Sequence, residues 1–276
     1  MISISFSLSR NDTICLVVFI GWFYFTVINT PKWPKFSQVR MEPEDSNQTL
    51  LDLAHERIGE VHTIQSSINV EVGDKNFNVF YLQARPLGKH PRWSVVLLHG
   101  MAADKEGTAS FWTKKETLQL LAAAGYRVIA PDLPGTPESR TRGKNEPLEI
   151  EQKPIFLQKF MAKLKLNKPV VISFTWGFTF SLPLLFKDPD SFGSLFAISP
   201  VYAWKYEKEE YKKVLVPSMI VHGEFDEELG TRQYQSMRHI RYLRRVIIPG
   251  MGWNVIEERP RHVHAALINY LYFLTD

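Results

Sequence analysis

The sequence predicts an α/β fold: a mixed, mostly parallel β-sheet with helices on both faces. Two patterns carry this expectation. His62–Val72 and Phe77–Ala84 alternate apolar and polar residues around Gly73-Asp74, which marks an antiparallel hairpin at a sheet edge. After it, short apolar runs bounded by turn residues alternate with stretches of helical periodicity, as in strands buried on both faces of a parallel sheet.

The strands are expected at Trp93–Leu98, Tyr126–Ala130, Pro169–Ile172, Ser194–Ile198, Ser218–Val221 and Arg245–Ile248. Helical patterns fall at Trp112–Ala124, Leu148–Leu164, Trp176–Phe186 and about Arg259–Leu274. A hairpin followed by strand–helix repeats gives a sheet sandwiched by helices. The connection from Pro200 to Pro217 is short, so little or no lid is expected over a cleft at the strand ends. The sequence shows no internal repeat and no low-complexity stretch.

Composition sets the class. The chain has 276 residues, 45% hydrophobic and 22% charged, enough for one large globular domain plus a short extra segment. The net charge of +4 is mildly basic. The basic run Arg238–Arg245 reads either as a face for anionic lipid or nucleic acid, or as a solvated helix end leading into a strand. No nucleic-acid motif accompanies it, so the second reading is preferred and no nucleic-acid partner is expected. The single cysteine, Cys15, cannot form an intrachain disulfide. Neither a metal-ligand cluster nor a phosphate-cradling loop is present, so no cofactor and no metal are expected.

The N-terminal region divides into a short tail (1–12), a membrane segment (13–31) and a polar, proline-containing linker (32–60), leaving 61–276 for the domain. Residues 13–31 carry no charge and Ile14–Ile28 is almost wholly apolar. A helix of that length reaches close to the roughly 30 Å of a hydrocarbon core. Trp22, Tyr24 and Trp33 suit an interfacial aromatic belt. A cleavable signal peptide is the rival, but no A-x-A-like site follows the apolar stretch, so an uncleaved transmembrane anchor is expected. The basic residues flanking the segment favour a cytoplasmic domain, whereas the Asn47-Gln48-Thr49 acceptor triplet favours a lumenal one. The side stays open.

Four motifs point to one fold in particular. Val95–Leu98 is a strand that ends in His99-Gly100-Met101; Ala123–Gly135 is a helix end, strand and turn. Val221–Asp226 ends a strand in G-x-x-D, and Ile248–Gly252 is a strand followed by a G-x-G turn. Their order and spacing fit the α/β-hydrolase fold, with an oxyanion loop at Met101, an acid at Asp226, and a turn that ordinarily leads into a catalytic histidine.

The chain resembles the α/β-hydrolase domain-containing protein 14 family. The likeness runs through Val95–Gly100, Thr117–Arg127, Ala130–Gly135, Val170–Ser173, Ser181–Phe186 and Val221–Gly230. The apolar N-terminal segment resembles the membrane-bound A-type member more than the soluble B-type. The resemblance implies a lidless single-domain fold and, in active members, a Ser-Asp-His triad acting on acyl groups. Two of the three positions depart from that pattern. Thr175 stands where the family's nucleophile follows Val170–Ser173, and Trp253 stands where its histidine follows the Gly250-Met251-Gly252 turn. Asp226 retains the acid. The backbone N–H groups of Met101 and Trp176 occupy the oxyanion positions.

These changes remove the chemistry of acyl transfer. A hydroxyl attacks a carbonyl only when a base takes its proton, and the indole of Trp253 has no basic nitrogen. Loss of nucleophile or base costs about 10⁶-fold in kcat in a comparable hydrolase. Threonine also fits poorly in the strained elbow. Among the chain's eight histidines, His99, His222, His262 and His264 are the ones to test as substitute bases. The sequence therefore predicts a membrane-anchored pseudo-hydrolase acting as a binding or interaction protein. Its cleft would be lined by Met101, Phe111, Trp112, Thr175, Trp176 and Trp253 and would hold a small apolar or acyl ligand. The alternative is an active acyl hydrolase or acyltransferase.

Overall fold

The computed structural model describes residues 38–40, 48–87, 91–101, 108–136, 139–143 and 147–275. Its centre is a sheet of ten strands: β1 (Gln38–Arg40), β2 (Thr63–Val72), β3 (Lys75–Ala84), β4 (Ser94–Leu98), β5 (Arg127–Pro131), β6 (Arg142–Gly143), β7 (Val170–Phe174), β8 (Ser194–Ile198), β9 (Ser218–Gly223) and β10 (Leu243–Ile248). Their order is β1-β10-β9-β8-β7-β4-β5-β3-β2, with β6 paired to β3. From β1 through to β5 neighbouring strands are parallel; β3 joins β5 antiparallel, and β2 and β6 join β3 antiparallel. The expected hairpin is present, with Val72 opposite Lys75 and the turn at Gly73-Asp74.

The helices are α1 (Gln48–Glu56), α2 (Ser110–Lys114), α3 (Thr117–Ala123), α4 (Gln152–Lys163), α5 (Phe178–Lys187), α6 (Lys208–Lys213), α7 (Arg232–Met237), α8 (Val255–Glu258) and α9 (Pro260–Thr275). Strand parity explains why helices cover both faces. In β4, Val96 and Leu98 join the core of Phe156, Phe160 and Leu182 from α4 and α5. Val95 and Leu97 point the opposite way and are also fully buried. In β8, Leu195 and Ala197 share the first core, whereas Phe196 meets Tyr270 of α9 at 5.6 Å. Each such fully buried large apolar side chain contributes about 1.5–3 kcal/mol.

Two elements differ from the sequence expectation. The helix expected over Trp112–Ala124 is two helices, because Glu116 adopts φ +60 between them and caps α3 with its carbonyl. Part of the stretch expected as a linker is ordered: β1 pairs with β10, and α1 buries Leu51 and Ala54. The anchor expected at 13–31 lies outside the described residues, as does Asn47. Among the described residues no helix is long and apolar enough to cross a membrane. The connection after β8 contains one turn of 3₁₀ helix and the six-residue α6, in keeping with a small covering over the strand ends.

The chain turns back between β5 and β7, which flank β4 on opposite sides. Such a switch point leaves a crevice beyond the carboxyl ends of the strands, where ligands bind in open α/β sheets.

Candidate active site

The crevice is bounded by the loop after β4 and the turn after β7. The five residues of β7 are fully buried and deliver the chain to Thr175 at φ +38, followed by a 3₁₀ turn and then α5. A β-branched residue with positive φ is strained, by an amount on the order of 1–3 kcal/mol. Close packing holds it there: a Cβ on Gly177 would come within 2.6 Å of the Leu98 carbonyl oxygen, so only glycine lets the elbow sit this near β4. On the other side, a Cβ on Gly100 would overlap the Thr175 hydroxyl. The side chain of Thr175 therefore rests against the backbone that leads to Met101.

Asp226 comes from the loop after β9. That loop is tied to the turn after β10: Phe225 N–H donates to the Met251 carbonyl at 2.9 Å, and Gly250 N–H to the Glu224 carboxylate at 3.0 Å. Two hydrogen bonds thus join the two loops. Asp226 is 5% exposed, and its Oδ1 accepts the Leu229 N–H at 2.8 Å. Burial raises its pKa above the usual carboxylate range, and the N–H groups of Leu229 and Gly230 together with the nearby Ser199 hydroxyl oppose that rise. The Ser199 proton itself goes to the Trp253 carbonyl at 2.6 Å. Oδ2 of Asp226, the atom a histidine would engage, has no hydrogen-bond partner among the described residues.

Trp253 occupies the space above the elbow. Its ring lies over Phe174 with centroids 6.4 Å apart and planes 15° from parallel, and Phe174 in turn stacks on Phe111 at 5.2 Å. This stack corrects the expected lining of the cleft: Phe111 and Trp112 are buried beneath the elbow, not exposed in it. The cleft measures about 240 Å³ and is lined by Met101, Thr175, Trp176 and Trp253, as expected, and by Val201, Tyr202 and Leu229, which the sequence did not mark.

Three of the candidate histidines are bonded elsewhere. His99 lies under the oxyanion loop, where Nε2 accepts the Leu133 N–H at 2.9 Å and Nδ1 lies 2.7 Å from the Gly100 carbonyl. The acceptor role of Nε2 places the ring proton on Nδ1, and burial pushes the pKa down to about 4. His222 repeats the arrangement: Nδ1 faces the Gly223 carbonyl at 2.7 Å and Nε2 accepts from Arg245 at 2.9 Å. Burial likewise lowers its pKa to about 4. His264 bonds Thr117 at 2.9 Å on α3. His262 sits on the same helix α9, in the turn that begins it.

Ser199 was not singled out in the sequence, although it follows β8 with φ +40 and ends beside both Asp226 and Trp253. A serine directly after a buried strand and before Pro200 was the available signal.

Comparison with known proteins supports the assignment of the fold and the family. The family model for the alpha/beta hydrolase fold matches residues 94–219. The rat protein named "Putative protein-lysine deacylase ABHD14B" is 30% identical over 209 residues, covering 74% of this chain and 97% of that protein. Mouse "Protein ABHD14A" is 29% identical, covering 71% of this chain and 77% of that protein, so identity does not separate the A-type from the B-type. Among solved structures, a CIB-like hydrolase from Thermoplasma acidophilum superposes with a TM-score of 0.65 at 20% identity, over 76% of this chain and 99% of the other. Carboxylesterase CesB from Bacillus subtilis gives 0.62 at 12% identity, over 81% of this chain and 97% of the other. With Thr175 at the elbow, Asp226 after the penultimate strand and Trp253 after the last one, the chain belongs to the ABHD14 family of α/β-hydrolase-fold proteins.

Proposed function

We propose that this protein is a pseudo-hydrolase: it keeps the hydrolase cleft for holding a small apolar or acyl ligand and has lost the means to turn it over. The observation that carries this reading is the lining of the elbow cleft, which among the described residues holds Thr175 and Trp253 and no histidine. Trp253 fills the histidine position as part of an aromatic stack, and the ring nitrogens of His99 and His222 are bonded to the backbone and to Arg245. Among the described residues lining the cleft Thr175 thus meets no basic side chain, and a neutral hydroxyl is a poor nucleophile. On this reading the backbone N–H groups of Met101 and Trp176 serve as the oxyanion donors, as the family resemblance implies. They alone supply roughly 10³–10⁴-fold over water in related triads, far below an efficient enzyme.

The rival reading is an acyl hydrolase or acyltransferase, and the deacylase name of the ABHD14B relatives favours it. A fluorophosphonate probe separates the two, since it labels only activated nucleophiles. The expected result is no labelling at Thr175 and no ester turnover above that of heat-denatured protein. Labelling or turnover that disappears in Thr175→Val would overturn the pseudo-hydrolase reading.

The same proposal includes attachment to a membrane by residues 13–31, supported by their uncharged, apolar composition. The full chain is expected to stay with membranes through alkaline carbonate extraction, and a chain starting after Pro31 to be released. A mature N-terminus near Pro31 would identify a cleaved signal peptide instead.

A further inference from the structure

Beside the elbow cleft lies a second pocket of about 220 Å³, which shares Trp176, Val201 and Tyr202 with it. We infer that this pocket is a binding site for a small carboxylate with an apolar body, held by the ammonium of Lys153. The inference rests on the reading of the chain as a ligand binder and gives that ligand a chemical class.

Lys153 is 8% exposed, an unusual state for a lysine. It lies in the first turn of α4, where the helix dipole favours negative charge over positive. Its Nζ donates to the Thr179 hydroxyl at 3.1 Å and lies 4.6 Å from the centroid of the Trp176 ring. The Thr179 hydroxyl passes its own proton to the Trp176 carbonyl at 2.8 Å. An ammonium has three donors, and Thr179 takes one. No carboxylate lies within ion-pair distance of Lys153 among the described residues. Burial, followed by the positive charge of Lys205, pushes the pKa of Lys153 below the usual lysine range, and Glu149 pulls it back in part. A buried charge in this state is costly unless it is paired, and a ligand carboxylate would pair it.

The remaining wall selects the body of the ligand. Ile150, Phe178 and Leu182 are apolar, and Tyr206 adds a ring. Lys205 stands at the exposed rim over the Tyr202 ring, 4.0 Å from its centroid, as a second cation facing an incoming anion. The volume is below the roughly 300 Å³ at which drug-sized sites begin, which limits the occupant to a short acyl chain or a single ring. Apolar walls around one buried ammonium suit a monocarboxylate better than a phosphate, whose second charge would find no buried partner.

The test is calorimetric titration with hexanoate and with its neutral isostere hexanamide. The expected result is hexanoate binding about tenfold or more tighter than hexanamide, equivalent to about 1.4 kcal/mol. The preference should be lost in Lys153→Met, reduced a few-fold in Lys205→Gln, and unchanged in Lys163→Gln on the exposed side of the same helix. If Lys153→Met does not fold, mass-spectrometric footprinting of the wild-type chain with an amine-acylating reagent replaces it, and hexanoate should shield Lys153 while hexanamide does not. Equal affinity for acid and amide, or a preference that survives in Lys153→Met, overturns the carboxylate assignment and leaves the binder reading standing. Ester turnover dependent on Thr175 would instead remove the pseudo-hydrolase reading and leave this selectivity intact.

Discussion

The Ser199 hydroxyl donates to the Trp253 carbonyl at 2.6 Å and leaves the Asp226 carboxylate beside it without that proton. In a working triad the second carboxylate oxygen would hold an imidazole. Here the carboxylate is buried, with the Leu229 N–H on its first oxygen and no hydrogen-bond partner on the second among the described residues. The pKa of Asp226 is raised in the fold, so its contribution to stability is present at low pH and lost as pH rises through the folded value. Asp226→Asn keeps an acceptor for the Leu229 N–H and removes the charge. It should raise Tm by a few degrees at pH 8, corresponding to about 0.5–1 kcal/mol once screening at the cleft mouth is allowed for. The gain should shrink toward pH 4. Thermal melts at both values check this, and a loss of stability at pH 8 would mean that the carboxylate has a partner.

Restoring the triad requires two changes that act as a unit. Thr175→Ser or Trp253→His alone should leave ester turnover near background, because each still lacks the other half. The double variant should gain about 10²-fold or more, the scale of general-base catalysis, and Asp226→Asn should then reduce it. Folding should survive, because Trp253 is 43% exposed and its loss removes mainly the stack on Phe174, about 0.5–1.5 kcal/mol. Additive single-variant gains, measured as kcat/KM on a small activated ester, would contradict the assignment of these two positions.

Acid should destabilise the fold through its buried histidines. His99 and His222 are held down to about 4 and His264 to about 3, burial being the first cause in each. The unfolded chain takes protons at the ordinary 6.5, so below that value the unfolded state binds more protons than the folded one. Stability therefore falls as pH drops from 6.5 toward about 4, by about 1.4 kcal/mol per pH unit for each histidine fully in that window. Urea melts across this range should show uptake of two to three protons on unfolding. Uptake of less than one would mean that these rings are already charged in the fold.

Much of this was legible in the sequence because it depends on local pattern. The hairpin and the apolar strands follow from periodicity, the acid position Asp226 from the strand-end G-x-x-D motif, and the roles given to Thr175 and Trp253 from the family resemblance. What was missed depends on tertiary contact. Helix α1 is short, and what stabilises it is burial of Leu51 and Ala54 against neighbouring helices. The break at Glu116 leaves the apolar spacing on both sides undisturbed, so periodicity does not reveal it. Phe111 and Trp112 are expected in the cleft, yet Phe111 stacks beneath Phe174 and Trp112 packs edge-on against Phe111, a tertiary arrangement that no local pattern encodes. Lys153 reads in the sequence as an ordinary solvated helix lysine, and only the packing of Trp176 and Phe180 around it shows otherwise.

The matched bonding of His99 and His222 has a spectroscopic consequence. Each ring lies at the carboxyl end of a strand in a His-Gly step and carries its proton on Nδ1, pinned to the carbonyl of the glycine that follows. Both rings are sealed from solvent. Imidazole protons held this way exchange slowly with water, so the folded chain should display two resolved downfield ring N–H resonances. They would form an intrinsic pair of reporters, His99 beneath the Met101 side of the cleft and His222 on the strand that leads to Asp226. Ligand entry could then be followed by which of the two resonances shifts, without any label.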